Sequence, residues 1–141
     1  MLGVGEAPLS VADVYASVCD VPSAGGIDMF VGVVRDEDNG RGVTKLSYSA
    51  HPTVETSLRE VVEKAIGQYP VHAVSAVHRV GDLEIGDIAV IVAVATPRRA
   101  EAFEACRQII DDIKNTVPIW KHQLFTDGGS EWVGAESQTA G

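Results

Sequence analysis

The stretch Asp87-Ile88-Ala89-Val90-Ile91-Val92-Ala93-Val94-Ala95-Thr96 runs straight into Pro97-Arg98-Arg99-Ala100-Glu101. From Ile88 to Ala95 every side chain is apolar. That run is far too short to cross a bilayer as a helix, and its lack of alternation predicts a strand lying central in a sheet. A helix is predicted from Pro97 to about Asn115, with Thr96 as its N-cap and Ala100, Phe103, Cys106, Ile109, Ile110 and Ile113 on one face. Pro118-Ile119-Trp120-Lys121 breaks it.

Working back from this pair, Val71–Val80 reads as a strand joined to Asp87–Thr96 by a loop containing Gly81, Asp82 and Gly86. Pro52 stands at a helix start, and Val54, Leu58, Val61, Val62, Ala65 and Ile66 follow at helical spacing until Gly67 and Pro70. Ile27–Arg35 and Val43–Ala50 read as the arms of a hairpin, with Asp36-Glu37-Asp38-Asn39-Gly40 as an irregular, mobile tip. Ala7–Val18 reads as a short helix capped by Ser10. After the break come short extended pieces around Leu124 and Trp132-Val133, then a polar tail beyond Ala135. The expected class is α+β, with a largely antiparallel sheet and two main helices.

The 141 residues fit one domain, and a 45% hydrophobic content is enough for a core without staples. A formal charge of −9 argues against nucleic acid or an anionic membrane as the main partner. An anionic small molecule is still admissible, because it needs only a local basic cluster. Met1–Ser10 lacks the basic start and apolar core of a secretion signal, so a cytoplasmic location is expected. Cys19 and Cys106 match no metal or redox spacing and are read as buried small hydrophobes.

Basic residues are scarce, so their placement carries information. Arg98 and Arg99 are expected in the first turn of the main helix, where cations oppose the helix dipole. Beside free backbone N–H groups they make a phosphate or carboxylate site; as an equal alternative, they are solvated and pair with Glu101 or another acid. Lys114 falls in the last turn, where a cation is favoured for stability alone. Lys121 lies between Trp120 and His122, which either destabilises its charge or lets its stem snorkel over a buried tryptophan. Arg35 either pairs with Asp36 or Asp38 or points into a pocket. His78 reads as a hydrogen-bonded core residue, and His51, His72, His78 and His122 show no metal-ligand spacing.

Taken in order, several segments resemble the large subunit of molybdopterin synthase from about Gly25 to Val133. They are Phe30-Val31-Gly32-Val33-Val34-Arg35; His78-Arg79-Val80-Gly81 with Glu84 and Gly86; Arg98 through Ala105; Lys114; Pro118-Ile119-Trp120-Lys121; and Trp132-Val133. The resemblance implies an α/β-hammerhead fold and a homodimer with a small ubiquitin-like subunit docked at each end. It implies that cyclic pyranopterin monophosphate receives two sulfurs from that subunit's C-terminal Gly-Gly thiocarboxylate, forming the dithiolene of molybdopterin, with no further cofactor and no metal site. By position, Lys114 and Lys121 look like the family's active-site lysines. Arg35, Arg98 and Arg99 look like substrate contacts, with Val33, Val34, His122 and Gln123 lining the same pocket. The family often has His-Arg where this chain has Arg98-Arg99, and some members carry a basic residue after Trp-Val where this chain has Glu136.

Such a reaction needs charge stabilisation as an oxyanion develops and an acid for the leaving oxygen as the cyclic phosphate opens. Lys114 is expected in the central role and Lys121 in support, with nucleophile and acid unassigned between them. The competing readings are a scaffold that binds a ubiquitin-like partner without chemistry, and a sensor of an anionic metabolite.

Overall fold

The computed structural model describes residues 1–134. The polar tail and Glu136 therefore lie outside the described residues. Among the described residues, nine strands and three helices follow in the order β1 (Leu2–Gly5), α1 (Val11–Val18), β2 (Gly26–Val33), β3 (Glu37–Asp38), β4 (Arg41–Ala50), α2 (Val54–Gln68), β5 (Ala73–Arg79), β6 (Gly81–Leu83), β7 (Ile88–Thr96), α3 (Arg99–Thr116), β8 (Ile119–Phe125) and β9 (Ser130–Val133). The first sheet has the order β1-β5-β7-β2; the second has the order β3-β4-β8-β9, with β6 also paired to β4. Among the described residues only β1 and β5 pair in parallel, so the α+β class with largely antiparallel sheets holds.

Strand β7 is continuously apolar because helices cover both of its faces. Val90, Val92 and Val94 pack with Leu58 and Val62 of α2 and Ile109 and Ile113 of α3. Ile91, Ala93 and Ala95 pack on the opposite face against Val14 and Val18 of α1. Both clusters exclude water almost completely, and each buried Val or Ile stabilises the fold by roughly 1.5–3 kcal/mol. A third cluster of Val34, Leu46, Leu83 and Ala89 joins the two sheets.

Several boundaries differ from those expected. Thr96 is not the cap of α3: its hydroxyl donates to the Arg98 carbonyl, Arg98 takes the N-cap position, and the helix begins at Arg99. The buried face of α3 uses Ala102 and Ala105, while Ala100 and Phe103 are exposed. Pro52 lies before α2, and Gly67 is inside it. Ser10 does cap α1, its Oγ accepting from Asp13 N at 3.2 Å, although the helix starts at Val11 rather than Ala7.

The expected hairpin between residues 27–35 and 43–50 does not form. Strand β2 pairs with β7, and β4 pairs with β8, so the two segments belong to different sheets. The acidic turn is itself a tight hairpin, β3 to β4, closed by Asn39 (φ 51°) and Gly40 (φ 80°). Two consecutive residues at positive φ are the signature of a type I′ turn, which matches strand twist. The expected loop between β5 and β7 contains the short strand β6, which leaves to pair with β4. Cys106 is buried as expected, but Cys19 is exposed at the end of α1.

Candidate active site

The site is built where the end of β2 passes the junction of α3 and β8. At Gly32 the register against β7 shifts, and a Cβ there would come within 2.6 Å of Val90 Cγ1. Glycine permits this close approach, and the shift, which leaves Ala89 of β7 as the extra residue, ends the regular pairing at Val33 and Ile88. Strand β2 consequently ends at Val33, and Arg35 lies beyond it rather than at its end. Val34 is held in that course by two backbone bonds, its N–H to Asp87 O at 2.9 Å and its carbonyl from Gly86 N at 2.8 Å.

On the other side, α3 stops at Thr116 and β8 starts three residues later, so only Val117-Pro118 separate the two elements. Lys114 stands in the last turn of α3, where the helix dipole favours its charge. Along β8, Ile119, Lys121, Gln123 and Phe125 point inward, whereas Trp120, His122 and Leu124 take the other face. Lys114 and Lys121, from two different elements, thereby meet at one open cleft of about 410 Å³. Val33, Val34, Arg35, Asp38, Tyr48 and Gln123 share its walls. A smaller cavity of about 60 Å³ adjoins it, bordered by Tyr48, His78, Lys114 and Lys121.

Asp38 organises the acidic side of the cleft. Its Oδ2 accepts from Gln123 Nε2 at 2.7 Å, and its Oδ1 lies 3.7 Å from the Arg35 guanidinium. Arg35 thus both pairs with Asp38 and borders the pocket. Burial holds the Lys121 ammonium below its ordinary pKa, and the nearby charge of Lys114 adds to that effect while Asp38 opposes it. Trp120 is 39% exposed, so Lys121 does not snorkel over a buried tryptophan; its half-burial is at the cleft wall.

Three expected site residues lie elsewhere in the protomer. Arg98 and Arg99 are exposed around a separate hollow with Gly25 and Ala100. His122, on the outer face of β8, stacks on Trp132 of β9 with ring centroids 4.4 Å apart. Tyr48 and Phe30 also border the cleft, and spacing alone did not single them out. For Asp38 the turn and the possible pairing with Arg35 are legible, but its partner Gln123 on β8 is gained only once the sheet forms. For Tyr48 a signal existed, since Leu46 and Tyr48 alternate inward along β4.

The MoaE protein family model matches residues 4–116. A molybdopterin synthase catalytic subunit 1 from Mycobacterium tuberculosis is 44% identical over 130 residues, covering 92% of this chain and 87% of that protein. A molybdopterin synthase catalytic subunit from Halalkalibacterium halodurans is 39% identical, covering 95% of this chain and 85% of that protein. The crystal structure of molybdopterin synthase from Staphylococcus aureus superposes with a TM-score of 0.83 at 33% identity, covering 93% of this chain and 95% of that one. A protein–protein complex of subunits 1 and 2 of molybdopterin-converting factor from Helicobacter pylori has a TM-score of 0.73 at 25% identity, covering 96% of this chain and 90% of that one. With the family model matching most of the chain and relatives this similar over nearly its full length, the chain belongs to the MoaE protein family.

Proposed function

We infer that this chain is the catalytic subunit of a molybdopterin synthase. It takes sulfur from the thiocarboxylated C-terminus of a small ubiquitin-like subunit and delivers it to cyclic pyranopterin monophosphate, forming the molybdopterin dithiolene. The observation that carries this is the convergence of Lys114 and Lys121 on one cleft in a member of this family. A scaffold that only received a partner's tail would need no such pair.

The cleft's residues divide the work by their surroundings. Lys114 presents an exposed ammonium at the helix end, suited to meeting an oxyanion as it develops. Lys121, with its charged form destabilised by burial, gives up a proton more readily than a solvated lysine. That favours it as acid toward the leaving oxygen when the cyclic phosphate opens. Arg35 offers a fork of N–H donors to an anionic group. Val33 and Val34 supply an apolar wall, and Gln123 is committed to Asp38. The chemistry requires no resident cofactor or metal in this reading.

Arg98 and Arg99 complete the substrate contacts only from another protomer, which makes the working unit a homodimer within a heterotetramer. No described helix is long and apolar enough to cross a membrane, and a cytoplasmic setting belongs to the same proposal. The test is reconstitution: purified chain, thiocarboxylated small subunit and cyclic precursor should yield the fluorescent oxidised pterin product. Docking of the small subunit without product would leave a binding scaffold as the correct reading.

A further inference from the structure

His78 takes no part in the scheme above, yet it stands on the wall of the small cavity that Tyr48, Lys114 and Lys121 also border. It lies near the end of β5 with 8% of its surface exposed. Its Nδ1 is 2.7 Å from the Arg79 carbonyl oxygen. A carbonyl only accepts, so Nδ1 carries the hydrogen and the neutral ring keeps its lone pair on Nε2. The Tyr48 ring meets the imidazole edge to face, with centroids 4.9 Å apart at 82°, and restrains it from turning. Nε2 is therefore the ring's one acceptor for anything in the cavity.

Lys114 has the opposite need. Its long side chain is exposed and has many rotamers, so without an anchor its ammonium samples many directions. An acidic anchor would neutralise the charge that an oxyanion requires. A neutral acceptor fixes direction and leaves the charge intact. We propose that His78 is a positioning residue for Lys114: its Nε2 accepts a hydrogen bond from the Lys114 ammonium, directly or through one water, and aims that ammonium along the cleft wall. A cavity of about 60 Å³ has room for such a water, and the polar groups around it supply the partners one needs. Burial, with the charge of Lys114 adding to it, holds the imidazole pKa down to about 4, so the ring stays neutral at neutral pH.

The proposal rests on Lys114 being the principal lysine of the reaction, and the experiment separates the two ideas. His78→Asn keeps a donor near the Nδ1 position for the Arg79 carbonyl but loses the acceptor at the Nε2 position. His78→Gln does the reverse. Each is assembled with thiocarboxylated small subunit, and kcat, KM and melting temperature are measured. Positioning predicts that His78→Asn loses about tenfold to a hundredfold in kcat with KM little changed, the scale of a misplaced reacting group. His78→Gln should retain most of kcat despite a lower melting temperature. A purely structural histidine predicts the converse, an active Asn variant and a damaged Gln variant, and either result overturns the proposal. The ¹⁵N shifts of the imidazole in the unmutated complex give a reading independent of variant folding: a lone pair on Nδ1 would also overturn it. If Lys114→Ala retains full turnover, the assignment of Lys114 fails first, and the role of His78 with it.

Discussion

Asp38 accepts a 2.7 Å hydrogen bond from Gln123, tying the β3–β4 hairpin to β8 one inward position away from Lys121. The same carboxylate favours the charged form of Lys121 against the burial that disfavours it. Asp38→Asn keeps an oxygen for Gln123 but removes the charge. The Lys121 pKa should then fall further, so the alkaline limb of sulfur transfer that follows Lys121 deprotonation should move to lower pH. Single-turnover rates across a pH series would show this; a limb that stays in place would mean that the Asp38 charge does not govern Lys121.

Lys114→Ala and Lys121→Ala should each lower sulfur transfer by about 10²–10⁴-fold, the range for losing a charged or proton-transferring group. Neither truncation opens a hole in the core, so unfolding free energy should change by about 0.5 kcal/mol for Lys114 and somewhat more for half-buried Lys121. Denaturant melts and a small-subunit binding assay separate lost chemistry from lost structure. Near-normal turnover in both variants would remove the mechanism.

The buried His78 also predicts how the fold responds to acid. Its pKa falls from 6.5 to about 4 on folding, chiefly through desolvation, so the unfolded chain binds the proton more tightly. Stability from this group is fully present above pH 6.5 and is lost progressively as pH falls toward 4. The shift corresponds to roughly 3 kcal/mol at 1.36 kcal/mol per unit. Urea titrations at pH 7 and pH 4.5 should show most of that loss in the natural chain. His78→Gln, which cannot titrate there, should show a correspondingly smaller loss over the same interval.

The parts of this architecture that were readable in advance are those set by local periodicity. The run Ile88–Ala95 declared a central strand because two helical layers demand apolar side chains on both faces, and Ser10 declared a helix start through its own hydroxyl. Long-range pairing left no such trace. Ile27–Arg35 and Val43–Ala50 look like hairpin arms, but their partners are β7 and β8, more than forty residues away in each case. The four residues of β1 are too few to show alternation, and their parallel partner is β5. The same distinction holds at the site. Lys114 and Lys121, singled out by the resemblance rather than by their local setting, do share one cleft, and the pairing of Arg35 with Asp38 was open to a local reading, whereas the bond of Asp38 to Gln123 joins residues 85 positions apart and left no such trace. His122 next to Lys121 in sequence is on the opposite face of β8, as strand geometry requires once β8 is known to be a strand.

The last prediction concerns where Arg98 and Arg99 act. Arg98 caps α3 and Lys114 occupies its last turn, so the two are sixteen positions and about 24 Å apart along a straight helix at 1.5 Å per residue. They border separate hollows of the same protomer, and one small pterin does not span that distance. If both contact substrate, the arginines of one protomer meet the lysines of its partner, and a two-fold dimer holds two composite sites. Lys114→Ala chains and Arg98→Ala/Arg99→Ala chains should each be inactive alone. In a mixed dimer one site collects both defects and the other is intact. Random equal mixing makes about half the dimers mixed, so about a quarter of all sites should regain activity under two-fold pairing. Subunit exchange is checked independently by mass-tagged chains, and turnover is measured before and after mixing. Confirmed exchange with no recovered activity would mean that arginines and lysines serve within one chain, and an active Arg98→Ala/Arg99→Ala chain would mean that the arginines do not touch substrate.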